Sequence, residues 1–169
     1  MAQALDDLLE ALEDVDDATR EEASKALAEL GDPTTLDALV GACEDEYWAV
    51  RAHAGRAVAR IGGAKAVEAL IVLFNDSIMD VRNDAVAAMT SMGAAVVDRL
   101  IAALKDERWR VREHAAKSCG EIKDRRAVEA LMLEYPPACV RGQPRGTRGC
   151  LRLVSRRCAR LRSPGSAGR

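Results

Sequence analysis

The chain has 169 residues, 49% apolar and 31% charged, enough for one soluble domain with a buried core, and only 3% are aromatic. It holds no apolar run long enough to span a bilayer, and its start (Met1, Ala2, Gln3, then Asp6 and Asp7) is neither basic nor followed by an apolar stretch, so the sequence predicts no membrane helix, no secretory leader and a cytoplasmic location. The formal net charge of -2 hides a division: residues 1–135 carry 16 basic against 27 acidic side chains, a balance of −11, whereas residues 136–169 carry nine Arg and no acid.

Internal similarity organises everything before position 136. Residues 4–14 (Ala4-Leu5-Asp6-Asp7-Leu8-Leu9-Glu10-Ala11-Leu12-Glu13-Asp14) align with residues 35–45, which places half a unit, 1–14, at the start. Its outer side is acidic (Asp6, Asp7, Glu10, Glu13), as suits a terminal cap facing water. Full units are predicted at 15–44, 45–75, 76–105 and 106–135. Each is marked by an Arg (Arg20, Arg51, Arg82, Arg112), an Asp six residues earlier (Asp14, Asp45, Asp76, Asp106) and an Ala three residues later (Ala23, Ala54, Ala85, Ala115). Eleven residues after the Arg stands Gly31, Gly62, Gly93 or, as the exception, Lys123.

Within the unit 45–75, Val50, Ala54, Ala57, Val58 and Ile61 recur at the spacing of one helix face, and Gly62-Gly63 ends that helix. Val67, Leu70, Ile71 and Phe74 then form the stripe of a second helix. The unit 76–105 repeats the pattern with Val81, Ala85, Met89, Met92 and then Val97, Leu100, Ile101, Leu104. Two helices of about 12 residues joined by a short turn make a hairpin that cannot bury its stripe alone. The predicted class is therefore all-α, an α-solenoid of about four and a half hairpins in a right-handed superhelix, with its stability coming from stacking.

The pattern stops inside the last second helix, where Tyr135, Pro136 and Pro137 replace the next apolar residue and turn. Residues 136–169 are rich in Arg, Gly, Pro and Ser and include Cys139, Cys150 and Cys158. Two readings account for this segment. One is a disordered cationic tail able to bind nucleic acid or the acidic body. The other, favoured by the abruptness of the change and by the GC-rich codons of Arg, Gly, Pro and Ala, is the product of a shifted reading frame.

The Asp-x5-Arg step, the Ala three residues on, Ile61-Gly62 and Ala66-Val67-Glu68-Ala69-Leu70 resemble the HEAT-like repeats of the phycobilisome (bilin) lyase type. Asp124-Arg125-Arg126-Ala127-Val128-Glu129-Ala130-Leu131 repeats the latter part. The resemblance covers residues 1–134 and implies the solenoid fold. It implies little about activity, since such repeats serve scaffolds, lyase subunits and hydroxylases alike.

The most regular polar series is Asp14, Asp45, Asp76 and Asp106 with Arg20, Arg51, Arg82 and Arg112. Each Asp precedes a first helix and is placed to cap its free N–H groups, and each Arg is within reach of a carboxylate of its own or the next unit. The resemblance implies a structural ladder along the array. A second series, Asp6, Asp37, Glu68, Asp98 and Glu129, falls two residues before the anchoring Leu of each second helix. There a carboxylate suits the helix dipole, and the row is also a candidate surface for basic segments of a partner. Trp48 and Trp109, three residues before the Arg in alternate units, are candidate partner anchors that otherwise cover the groove between units.

His53 and His114 occupy one repeat position, but the order is Ala52-His53 and Glu113-His114, without the His-Glu pairs by which HEAT-type hydroxylases hold iron. No metal and no cofactor is therefore predicted. Cys43 and Cys119 fall on apolar stripes, no C-x-x-C or phosphate loop occurs, and no nucleophile has an evident base. The sequence accordingly predicts a noncatalytic scaffold that binds a protein partner, possessing a basic or extended segment, through its curved surface. The alternatives are a subunit of a bilin-lyase-like or other protein-modifying enzyme, and nucleic-acid binding through the Arg-rich end.

Overall fold

A computed structural model describes residues 2–134; the predicted tail and the Tyr135-Pro136-Pro137 break lie outside the described residues. The described residues form two compact units, 2–96 and 97–134, all helical and without a strand. The first contains α1 (Ala2–Ala11), α2 (Asp17–Leu30), α3 (Leu36–Ala42), α4 (Trp48–Ile61), α5 (Ala64–Leu73) and α6 (Met79–Ser91). The second contains α7 (Val97–Ala103), α8 (Trp109–Ile122) and α9 (Arg125–Glu134).

In the first unit α4 is central, packed against α2 and α6 on either side and against α3 and α5. Small residues make this approach possible. Ala49, Ala52, Ala54, Gly55 and Ala57 of α4 are buried, and a Cβ added at Gly55 would stand 2.8 Å from Leu73 Cδ1. Leu27, Leu39, Leu70, Phe74 and Met89 fill the spaces between helices, all fully buried. Each such side chain contributes roughly 1.5 to 3 kcal/mol by leaving water, so the stack rather than any one hairpin holds the fold. In the second unit α7 packs on α8 and α9, with Leu100, Val111, Ala115 and Cys119 fully buried.

The turns follow from backbone chemistry. Gly31 (φ 62°) closes α2 in the left-handed conformation with its N–H on the Leu27 carbonyl. Gly62 (φ 80°) and Gly63 (φ 90°) turn the chain from α4 into α5. α3 and α7 have only 7 residues each, shorter than the repeat spacing predicts. Each is preceded by a 3-10 turn, Pro33–Thr35 or Gly93–Val96, the second opening on Gly93 at φ 65°. Ile61, Ile71, Met92 and Ile101 are only partly buried, so the apolar stripes are narrower than the sequence pattern predicts.

Candidate protein-binding surfaces

The repeat Arg residues lie at the foot of the first helices and knit the loops before them. Arg20 donates from Nε to Asp45 Oδ2 at 2.8 Å and from Nη1 to the carbonyls of Asp14 and Val15. Arg51 repeats this on Asp76 Oδ2 at 2.6 Å and on the carbonyls of Asp45 and Glu46. Arg82 holds the carbonyls of Asp76 and Ser77, and its buried Nε has no hydrogen-bond partner among the described residues. In the second unit Arg112 holds the carbonyls of Asp106 and Glu107, while both Asp106 oxygens accept from the Arg108 guanidinium at 2.9 Å.

The series Asp residues do not cap the helices in the way the sequence suggests. Asp14, Asp45, Asp76 and Asp106 each accept the N–H two residues on, from Asp16, Tyr47, Ile78 and Arg108. These four acceptors therefore fix the residue that precedes each helix instead of satisfying the first-turn donors. Only α2 among the four first helices has a side-chain cap, Asp16 accepting from the Thr19 N–H at 3.0 Å. The ionisation of the ladder carboxyls follows. Burial alone would push Asp76 up, but the hydrogen bonds from Arg51 and the Ile78 N–H and the Arg charges outweigh it and hold the carboxyl below its ordinary value. The Arg108 fork holds Asp106 at about 2.

On the second helices, Asp37 and Glu68 stand exposed in the first unit, Asp98 and Glu129 in the second. Lys65 donates to Asp37 at 2.7 Å, and Arg126 donates to both oxygens of Asp98 at 3.0 Å, each across 28 residues of sequence. Glu129 pairs with Arg125 at 2.9 Å, one helical turn away. Basic side chains thus interleave the carboxylate row. Between α3 and α5 a groove of about 220 Å³ is lined by Val40, Ala69 and Val72 with Glu44, Lys65 and Glu68 around it. Charge is unevenly shared between the units: residues 1–96 carry 7 basic and 19 acidic side chains, a balance of −12, and residues 97–135 carry 9 and 8, a balance of +1. The excess of negative charge resides in the first unit.

The two Trp residues are in different surroundings. Trp48, 43% exposed, begins α4 beside the ring of Tyr47 at 6.2 Å. Trp109, 54% exposed, begins α8 with the Arg110 guanidinium 5.4 Å from its ring centre. Ile78 and Met79 occupy in α6 the places of Tyr47 and Trp48 in α4, and both are exposed. Sequence reasoning passed over this pair. The signal available was that both apolar residues fall where the repeat pattern requires none.

Among the described residues no group of three or more metal-binding side chains comes together. His53 Nε2 lies 3.7 Å from Glu21, and burial with the nearby Arg56 charge lowers its pKa despite that carboxylate. His114 Nδ1 lies 2.7 Å from the Arg110 carbonyl, so this nitrogen carries the proton. Burial, with a small addition from Glu44 and Asp124 respectively, pushes the thiols of Cys43 and Cys119 up to about 12, leaving little thiolate at neutral pH.

The family model for HEAT repeats matches residues 5–90 and 72–137. Comparison with the curated proteins gives no match. Among solved structures the chain is similar to a designed armadillo repeat protein in complex with the peptide (KR)4, at 17% identity and a TM-score of 0.55, over 92% of this chain and 82% of that one. It is similar also to the complex of CpcE and CpcF of phycocyanin lyase from Nostoc sp. PCC7120, at 16% identity and a TM-score of 0.51, over 92% and 99%. These likenesses are likenesses of fold.

Proposed function

We propose, from the fact that this chain belongs to the HEAT-repeat family, that it is a noncatalytic cytoplasmic scaffold whose second-helix surface binds a basic or extended segment of a protein partner. The observation that carries this reading is an apolar groove between α3 and α5 with Glu44 and Glu68 in its lining and Asp37 beside it through Lys65, within a unit of net charge −12. A cationic segment gains in approach rate from that field, and aliphatic side chains of the segment gain contact with Val40 and Val72. The likeness to a designed armadillo repeat protein in complex with the peptide (KR)4 supports this, at the level of fold. In the second unit, taken by itself, Asp98 and Glu129 are the equivalent candidates on α7 and α9, offset by Arg126 and Arg125, and Trp109 at the start of α8 is a separate candidate anchor.

A subunit of a bilin-lyase-like enzyme is the second reading, supported by the fold shared with the phycocyanin lyase complex. Against it, among the described residues, stand the thiols of Cys43 and Cys119, which burial keeps protonated at neutral pH and sheltered from a substrate. Nucleic-acid binding through the Arg-rich end rests on residues outside those described.

The test uses an octapeptide of alternating Lys and Arg as probe. Reversing Asp37 and Glu68 to Lys should slow association about ten-fold at low salt and remove most of its salt dependence, with helix content unchanged. An unchanged association rate and salt slope would leave the carboxylates with helix stabilisation alone and end this reading.

A further inference from the structure

We propose a second interaction surface on the first unit, the edge formed by the starts of α2, α4 and α6, and we assign it to a basic amphipathic segment of a partner protein. Five apolar side chains mark this edge. Val15 is 96% exposed, Trp48 43%, Ile78 38% and Met79 62%, with Tyr47 half-buried beside Trp48. Single exposed apolar residues are ordinary on any surface. Here, however, apolar pairs stand at equivalent positions of successive repeats, where loop residues are commonly polar.

The ladder beneath holds this edge rigid. Arg20 binds the Val15 carbonyl and Asp45, whose other carboxylate oxygen fixes the Tyr47 N–H. Arg51 in turn binds the Glu46 carbonyl and Asp76, which fixes the Ile78 N–H. A continuous chain of hydrogen bonds therefore runs under Val15, Tyr47 and Ile78 in order. A surface held in this way loses little conformational entropy when a partner docks.

Charge selects the occupant. Residues 14–17, 45–48 and 76–80 contain no Lys or Arg, while Asp16, Asp17, Glu46 and Asp80 are exposed among the apolar side chains. Arg51 and Arg82 behind the edge are turned inward onto carbonyls and, for Arg51, onto Asp76, while Arg20 also reaches Asp17 at 2.6 Å and Glu46 at 3.5 Å. Seven carboxylates (Asp14, Asp16, Asp17, Asp45, Glu46, Asp76 and Asp80) thus stand against three Arg, and apolar anchors in this acidic excess fit a helix with aliphatic residues on one face and Lys or Arg beside them. They repel an acidic segment and, by the same charge, a second copy of this edge. The corresponding place in the second unit reads Glu107-Arg108-Trp109-Arg110, so Trp109 does not share this chemistry.

This inference rests on the scaffold reading in being a binding role, but uses a different set of residues, and its test is separable. In the full chain carrying Trp109→Phe, Trp48 is the sole tryptophan. The probe is an 18-residue synthetic peptide with leucines at helical i, i+3, i+4, i+7 spacing and lysines elsewhere. Saturable binding with a blue shift of Trp48 emission is expected. Affinity should fall about ten-fold or more when the leucines are replaced by serine at equal charge, and by a similar factor in the Val15→Ser, Met79→Ser protein. Both substituted side chains are largely exposed, and an unchanged circular dichroism spectrum checks the fold.

Equal affinity for the serine peptide, or for the substituted protein, would overturn the proposal. So would Trp48 emission that is already shifted without peptide and indifferent to it, because the edge would then be covered by the chain itself or by a second copy. Failure here with retained binding of the Lys-Arg octapeptide on the Asp37 and Glu68 surface removes only the edge. Failure of both removes the scaffold reading as well.

Discussion

Arg51 and Asp76 join neighbouring repeats through two parallel hydrogen bonds, 2.6 Å from Nε and 3.0 Å from Nη2, with side chains only 13% and 7% exposed. The remaining guanidinium nitrogen holds two backbone carbonyls, so one side chain fixes both the loop of its own repeat and that of the next. Replacing Arg51 by Ala leaves a desolvated carboxylate and two carbonyls without this partner. The expected cost is about 3 to 5 kcal/mol, since breaking a buried pair strands the surviving charge. Arg51→Lys should recover part of the charge interaction but not the two-pronged geometry. Arg56→Ala, which removes a half-exposed pair with Asp84, should cost under about 1 kcal/mol. Urea denaturation of the three variants checks the order, and equal losses would contradict it.

Acid should loosen the same framework. Asp76 has a folded-state pKa below the ordinary carboxylate value, so the native state binds its proton less readily than the unfolded chain does. Its contribution to stability is complete above the unfolded value of about 4 and is lost as pH falls through the lower folded value. Asp76→Asn should therefore be less stable than the parent at pH 7, with a smaller decline between about pH 4 and pH 2. Thermal melts across that range measure the slope. A parallel decline in both proteins would show that other carboxyls dominate acid unfolding.

Apolar burial should outweigh the exposed charges of the second helices. Leu70 is fully buried among α4 and its neighbours, and Leu70→Ala should cost about 2 to 5 kcal/mol. Asp37→Ala removes a pair whose side chains are 76% and 66% exposed, with an expected loss under about 1 kcal/mol. Comparable losses in a denaturant series would overturn this distinction between core and surface.

The helices and most of their buried faces were legible because a repeated hairpin writes the same chemistry several times. Arg20 and Arg51 can be read from spacing for that reason. What their partners do was less legible. An Asp just ahead of a helix looks like a cap, yet Asp45 and Asp76 bind the N–H two residues on, a choice decided by the extended backbone at Tyr47 and Ile78. The pairs Lys65 with Asp37 and Arg126 with Asp98 also escape a helix-by-helix reading. Both bridge adjacent second helices, so neighbouring residues in sequence do not reveal them. The charge of Trp109's surroundings was visible as Arg108 and Arg110, but its importance depended on knowing that the ring is exposed beneath Arg110.

The helix end at Lys123 gives the last prediction. Gly31 and Lys123 stand eleven residues after the repeat Arg and end α2 and α8 in the same left-handed conformation, φ 62° and 58°. Both donate their N–H to the carbonyl four residues back, at 3.0 Å from Gly31 and 3.2 Å from Lys123. A side chain at this φ brings Cβ against the backbone at a cost of roughly 1 to 2 kcal/mol, which glycine does not incur. Glycine also leaves the unfolded chain more freedom, so only part of that difference reaches the folding equilibrium. Lys123→Gly should raise stability by about 0.5 to 1 kcal/mol, and Gly31→Ala should lower it by about 1 kcal/mol or more. Since Lys123 is exposed, an ordinary loss of packing is not expected to mask the gain. Denaturation at high salt, where the lost Lys charge matters least, measures the backbone contribution, and a destabilised Lys123→Gly protein would show that the left-handed cap is not strained.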